Sequence, residues 1–226
     1  RIMKALINAI LVVCGLGLLY ICFGIIMDPI NFDNARQSRE KAIIARLIDI
    51  RKAQVEYRSQ HGGKYTDNFD SLIAFVKTGQ LPFINKVGVL SDEQLEAGLT
   101  EAKAIAIVRS GNAEEIAKNG LQNFRRDTIW RSVLDTIFGA GYNVDSIRYI
   151  PFSGGKQFEM AVRSDTTDKG QPLNLFQAQA AYDTYLSDLN HQELVNLKDT
   201  QEKLGKYVGL RVGDIDTPNN NAGNWE

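Results

Sequence analysis

The stretch Ala5–Met27, ALINAILVVCGLGLLYICFGIIM, runs for 23 residues without a charge, and Asn8 is its only strongly polar side chain. Arg1 and Lys4 precede it, and Asp28-Pro29 closes it. At 1.5 Å per residue a helix of that length reaches about 34 Å, against about 30 Å of bilayer hydrocarbon. The run therefore predicts a transmembrane helix with some tilt. A cleaved signal peptide has a shorter apolar core, about 7–15 residues, and a small-x-small cleavage site. This run ends instead in Met27-Asp28-Pro29. Val13 and Ile21 precede Cys14 and Cys22, where a lipoprotein signal carries a small residue.

Working outward, the two cations before the run and the acids Asp28 and Asp33 after it favour a cytoplasmic N-terminus, although Arg36, Arg39 and Lys41 follow closely. The expected location is the inner membrane, crossed once, with the larger part of the chain periplasmic. Within the run, Ile10, Gly17 and Gly24 recur every seven residues, with Asn8 and Gly15 nearby. Small residues let helices approach and an amide can bond across a pair, so Asn8, Ile10, Gly17 and Gly24 are candidate packing residues for a membrane partner. Glycine is also simply common in membrane helices.

The rest of the chain carries 24 of the 26 basic residues and all 27 acidic ones, a net charge of −3. That is neither basic nor clustered enough for nucleic-acid binding. Both cysteines lie in the apolar run, so the remainder can form no disulfide and no thiolate metal site. It is long enough for one domain, or two small ones, with a core of its own.

The spacing predicts an amphipathic helix over about 34–60, with Ile43, Leu47, Ile50 and Tyr57 on its stripe, ended by His61-Gly62-Gly63. Asp67 or Thr66 can cap a short helix holding Phe69, Leu72, Ile73 and Val76, stopped by Gly79. Between 85 and 125 the chain reads as a helical insertion. Ser91-x-x-Gln94 forms a capping-box pattern, and Thr100 and Asn112 are further caps. Residues 127–138 keep a spacing of four in Ile129, Val133 and Ile137, which leans to helix. A hairpin is expected around Gly154-Gly155, joining Ile147–Phe152 to Phe158–Val162. A strand over 173–177, a helix over 191–204 and a short strand over 210–212 follow.

Catalytic constellations are missing from the sequence. His61 and His191 sit in no metal-ligand spacing, and there is no nucleophile elbow, P-loop or dinucleotide fingerprint. Gly205, Gly209 and Gly213 read as turns. Asp127, Asp135 and Asp145 are the acids a tethered enzyme would have to use, and they read as caps and surface groups. No catalytic activity and no bound cofactor are expected. Calcium is the one metal that the oxygen-rich tail suggests, with Asp214 and Asp216 as its ligands; the competing reading is that these residues stabilise turns.

The segment from Lys41 to Phe75 resembles the start of type IV pilin-like and pseudopilin soluble domains. The matching residues are Lys41-Ala42, Ile50, Ala53, Tyr57, His61-Gly62-Gly63-Lys64-Tyr65-Thr66 and Asp70-Ser71-Leu72. The ending Ala222-Gly223-Asn224-Trp225 is similar to the tail of major pseudopilins, where nearby acids hold calcium. The resemblance implies a membrane helix continuing into the amphipathic one. Two features depart from it: Ala5 stands where the family has a glutamate that neutralises a neighbour's amine, and Pro29 interrupts the stem. These departures argue for a non-polymerising component.

The sequence therefore predicts an α+β protein. A transmembrane anchor (1–28) precedes a soluble domain (29–226) made of an amphipathic helix and a small antiparallel sheet with short helices. The expected function is a structural or interaction subunit of a secretion or pilus-type membrane assembly. It would bind other membrane proteins and the lipid bilayer through its anchor. The soluble domain would contact other envelope subunits, with Arg46, Arg51 and Tyr57 as candidate contacts. The alternatives are an accessory subunit of an ion-driven complex of proton-channel type and a membrane-anchored ligand-binding sensor.

Overall fold

A computed structural model describes residues 2–226; Arg1, one of the flanking cations, lies outside the described residues. The chain is α+β, with one long apolar N-terminal helix followed by small antiparallel sheets and short helices. Helix α1, Ile2–Gln60, contains Pro29 without a break. Proline removes one i→i−4 donor and disfavours helix in the residue before it, which is why an interruption was expected. The turn after Pro29 is held by local contacts. Asp33 accepts hydrogen bonds from Arg36 at 2.5 Å and Gln37 at 2.6 Å, and Phe32 is buried.

The chain divides into two compact units. The first combines residues 1–73 and 143–226. Its sheet has the order β3-β4-β5, with β3 at Glu159–Thr166, β4 at Pro172–Ala181 and β5 at Gly209–Gly213, all antiparallel. Directly opposed residues share a face. The pairs Val162–Phe176, Met160–Ala178, Ala178–Val212 and Ala180–Leu210 therefore put an apolar row on one side. There, Phe176, Ala178, Ala180, Leu210 and Val212 are buried. Helix α1 contributes Ile43, Leu47, Ile50 and Ala53, all fully buried, along one helical stripe.

The other sheet face is polar, and its side chains form a chain of bonds. Gln179 donates to Glu159 at 2.9 Å, Gln177 donates to Gln179 at 2.7 Å, and Arg211 reaches Gln177 at 3.4 Å. A 3₁₀ turn, Val144–Arg148, and helices α7 (Tyr182–Tyr185) and α8 (His191–Lys203) complete the unit. Gly213 ends β5 at φ 70, with the Phe176 carbonyl so near that a side chain would collide with it.

The hairpin expected around Gly154-Gly155 does not form as read. That turn closes on one isolated bridge, Tyr149–Gln157, and β3 pairs with β4 instead. Pro151 cannot donate to a ladder, and Phe152 sits at φ 64, which turns the chain out of an extended path.

The second unit is residues 74–142. Helix α2, Phe69–Thr78, leads into it and is capped by Asn68, whose side chain accepts from Asp70 N–H at 2.7 Å, rather than by Thr66 or Asp67. Strand β1, Gln80–Val87, pairs antiparallel with β2, Arg125–Ser132. The helix expected over 127–138 is thus mostly strand. β-branched Thr128 and Ile129 and aromatic Trp130 suit a pleated surface, and only α6, Val133–Ile137, keeps the helical period behind its Ser132 cap.

Between the strands lie α3 (Asp92–Glu96), α4 (Glu101–Ser110) and α5 (Ala113–Lys118). They are capped by Ser91, with its Gln94 capping box, Thr100 and Asn112, as the sequence indicates. Their core is Leu99, Ala104, Leu121 and Phe124. The helical insertion is present, framed by a hairpin the sequence reading did not contain.

Candidate functional site

Helix α1 has two chemically different stretches. From Leu6 to Ile26 its large apolar side chains are exposed, Tyr20 at 81% and Val13 at 68%. The long apolar stretch is compatible with a membrane anchor. Nothing lies within 4 Å of where a Cβ would stand on Gly17 or Gly24. At about 100° per residue, Ile10, Gly17 and Gly24 do share one face, but Asn8 and Gly15 fall about 200° round, on the opposite side with Cys22. The four packing candidates are thus not one surface. Ile10 with the two glycines forms one face, and Asn8 with Gly15 another.

Past Pro29, one stripe of α1 runs from buried Phe32 through half-buried Arg36 and Glu40 to buried Ile43, Leu47, Ile50 and Gln54. Three of these are polar. Arg36 is held by Asp33, whose carboxyl sits below its usual range because Arg36 bonds to it. Glu40 faces Arg36 Nη1 at 3.9 Å, and its Oε1 is buried with no hydrogen-bond partner. Burial pushes its carboxyl up, and Arg36 only partly opposes this. Nearby Tyr185 is fully buried with an unpartnered hydroxyl, and burial followed by the Glu40 charge drives its phenol far above the ordinary range. Gln54 is fully buried and behaves like a piece of backbone: it donates to the Thr66 carbonyl at 2.5 Å and accepts from Thr66 N–H at 3.2 Å.

The sequence reading missed Glu40 and Gln54. The available signal was their position, since both fall on the helical face of Ile43, Leu47 and Ile50, where an acid or amide is out of pattern.

The candidate partner contacts are engaged within the first unit. Arg46 donates to Ser146 Oγ at 2.5 Å. Arg51 pairs with Glu226 at 2.6 Å and donates to the Asn221 carbonyl at 3.2 Å, which ties the C-terminal tail to α1. Tyr57 stacks on His61, ring centroids 3.7 Å apart. Arg39 forks onto Asp188 at 2.5 and 2.7 Å and also donates to the Tyr185 carbonyl at 2.6 Å.

The tail residues are likewise committed to local bonds. Asp214 accepts from Asp216 N–H, Thr217 N–H and Arg211 Nη2, at 2.8, 3.1 and 2.8 Å. Burial raises its carboxyl, but these donors outweigh burial and hold it below its usual range. Asp216 lies 3.6 Å from Arg163. Asn224 caps β5, donating to the Gly209 carbonyl and accepting from Arg211 N–H. A calcium ion at Asp214 would have to displace Arg211.

Among the described residues no three His, Cys, Asp or Glu side chains converge on a metal-sized site. Asp135 and Asp145 stand in the first turns of their helices, and Asp127 lies on β2 with Arg125 at 3.9 Å. His191 opens α8. An open groove of about 740 Å³ lies between α3, α4 and α5, lined by Gln94, Leu99, Lys103, Ile107 and Asn119. It contains no nucleophile paired with a base. The chain matches no family model, no curated protein and no solved structure.

Proposed function

We propose that this protein is a non-enzymatic, single-pass subunit of an envelope assembly of the secretion or pilus type, anchored in the inner membrane with its sheet domain outside. One observation carries the reading. A single uninterrupted helix of 59 residues presents a wholly exposed apolar stretch at one end and lies buried against a three-stranded antiparallel sheet at the other. An exposed apolar stretch of that length calls for lipid or protein around it. The passage of α1 through Pro29 is in keeping with a continuous stem. The missing glutamate at position 5 still argues for a component that does not polymerise.

The face of Ile10, Gly17 and Gly24 is the surface we assign to a membrane partner. The test is site-directed cross-linking in native membranes. Single cysteines replacing Ile10, Gly17 or Gly24, with Cys14 and Cys22 changed to serine, should form one discrete adduct. Cysteines at Val12 or Leu19, on the opposite side, should not. Adducts from neither face, together with a monomer on native sizing in mild detergent, overturn the reading.

A further inference from the structure

The β1–β2 ribbon is an unfinished sheet. It has two strands only, and Phe83, Ile84, Val87, Ile129 and Trp130 are all exposed, Trp130 at 60% and Ile84 at 62%. An isolated two-stranded ribbon is marginal in water, and a free strand edge is a template for another strand. β1 contains Pro82, which has no N–H to extend a ladder, whereas β2 contains no proline.

We propose that the outer edge of β2 binds β2 of a second copy of this chain, antiparallel, giving a four-stranded sheet in the order β1-β2-β2-β1 about a two-fold axis at Ile129.

The register follows from geometry and charge. Opposed residues in an antiparallel pair have the same face and the same direction of their backbone groups, so a strand can pair with its own copy only in registers centred on a residue. Centring on Thr128 sets Arg125 against Arg131 twice. Centring on Asp127 sets that carboxylate against itself. Centring on Trp130 leaves Asp127 and Arg131 opposite Val133 and Ile129. Centring on Ile129 instead pairs every position from Arg126 to Ser132 within the strand and leaves only Arg125, at its start, without a strand partner. Asp127 faces Arg131 twice, Thr128 faces Trp130 twice, Arg126 faces Ser132 twice and Ile129 meets itself.

The groups concerned are available. Asp127 has Arg125 at 3.9 Å on a well-exposed pair, and Arg131 lies over the Phe83 ring at 5.1 Å. Arg126 is already neutralised by Glu101 at 2.9 Å. In this register the existing Phe83–Ile129 pair becomes a row of four apolar side chains across the sheet, Phe83-Ile129-Ile129-Phe83. On the other face each row reads Pro82-Trp130-Thr128-Ile84.

The test uses the full chain in mild detergent, sized by light scattering over a concentration series. The wild type should dimerise. Asp127→Arg or Arg131→Asp alone should move the dimer midpoint at least tenfold higher in concentration, and the double variant should restore it. With Cys14 and Cys22 replaced by serine, Ile129→Cys should cross-link under mild oxidation, because the opposed Cα atoms lie about 4.5–5.5 Å apart. Phe83→Cys should not, because three strand spacings put it about 14 Å from its mate. A monomeric wild type overturns the proposal. So does a dimer indifferent to all three charge variants, which would place the contact on α1, or cross-linking through Phe83 rather than Ile129. Loss of the dimer with unchanged membrane retention would leave the envelope-subunit reading untouched, so the two can fail separately.

Discussion

Gln54 and Thr66 are joined by two reciprocal hydrogen bonds, from the Gln54 amide to the Thr66 carbonyl at 2.5 Å and from Thr66 N–H back to the amide oxygen at 3.2 Å. A fully buried side chain on α1 thereby satisfies both backbone groups of a residue in the loop that leaves the helix. Removing such a partner strands buried donors and acceptors. Gln54→Ala should therefore destabilise the protein by about 1–3 kcal/mol in chemical denaturation. Gln54→Leu should not recover the loss, because it restores volume without the bonds. A leucine variant as stable as the wild type would show that these bonds contribute little.

Glu40 predicts a pH effect on stability. Its folded carboxyl is raised above its ordinary value, chiefly by burial, so folding favours the protonated form. That contribution is fully present below the ordinary carboxylate range and is lost as pH rises through the raised folded value. The groups facing it are Arg36 and Asp33 on α1 and Tyr182 and Tyr185 on α7. Glu40→Gln should raise Tm at pH 7, and the gain should vanish at acid pH where Glu40 is itself protonated. A gain that is constant with pH would rule this assignment out.

The Arg39–Asp188 pair should be asymmetric under mutation. Asp188 is well exposed, and Arg39 holds its carboxyl below the usual range, so its contribution is present at neutral pH and fades on acidification. Screened by solvent, that pair contributes about 0.5 kcal/mol. Arg39 also donates to the Tyr185 carbonyl. Arg39→Ala should thus cost more than Asp188→Ala, and only part of its cost should be sensitive to salt. Equal costs for the two variants would mean that the carbonyl contact adds nothing.

The C-terminal loop should behave as a self-contained turn. Because Arg211 and two N–H groups already occupy Asp214, calcium should give no binding heat and no thermal shift with the full chain in detergent. Arg211→Ala should lower Tm whether or not calcium is present. Calcium-dependent stabilisation of the wild type would reinstate Asp214 and Asp216 as ligands.

Much of the helical content was legible because its signals are local. Ser91, Thr100 and Asn112 cap the helices that their patterns announce, and the stripe of Ile43, Leu47 and Ile50 is the face that is buried. The errors arose where partners distant in sequence decide the outcome. Trp130 and its neighbours fit a helical spacing, yet pairing with residues 80–87 makes them a strand. β3 has a nearby glycine turn on one side but pairs with the strand on the other, because Pro151 and Phe152 cannot continue a ladder. For the site, the apolar run of α1 was readable from composition. Arg46 and Arg51 looked available only because their partners at Ser146 and Glu226 are distant in sequence, whereas the Tyr57–His61 stack is an i, i+4 contact that the spacing already offered.

The central claim is that α1 crosses a membrane once and holds the sheet domain on the far side. Accessibility of single cysteines to a membrane-impermeant maleimide in intact spheroplasts tests it most directly, with Cys14 and Cys22 replaced by serine. Leu204→Cys, exposed beyond α8, should label before lysis, and Lys4→Cys only after it. Labelling of Lys4→Cys in intact spheroplasts with Leu204→Cys protected, or recovery of the chain in the soluble fraction, would contradict the account.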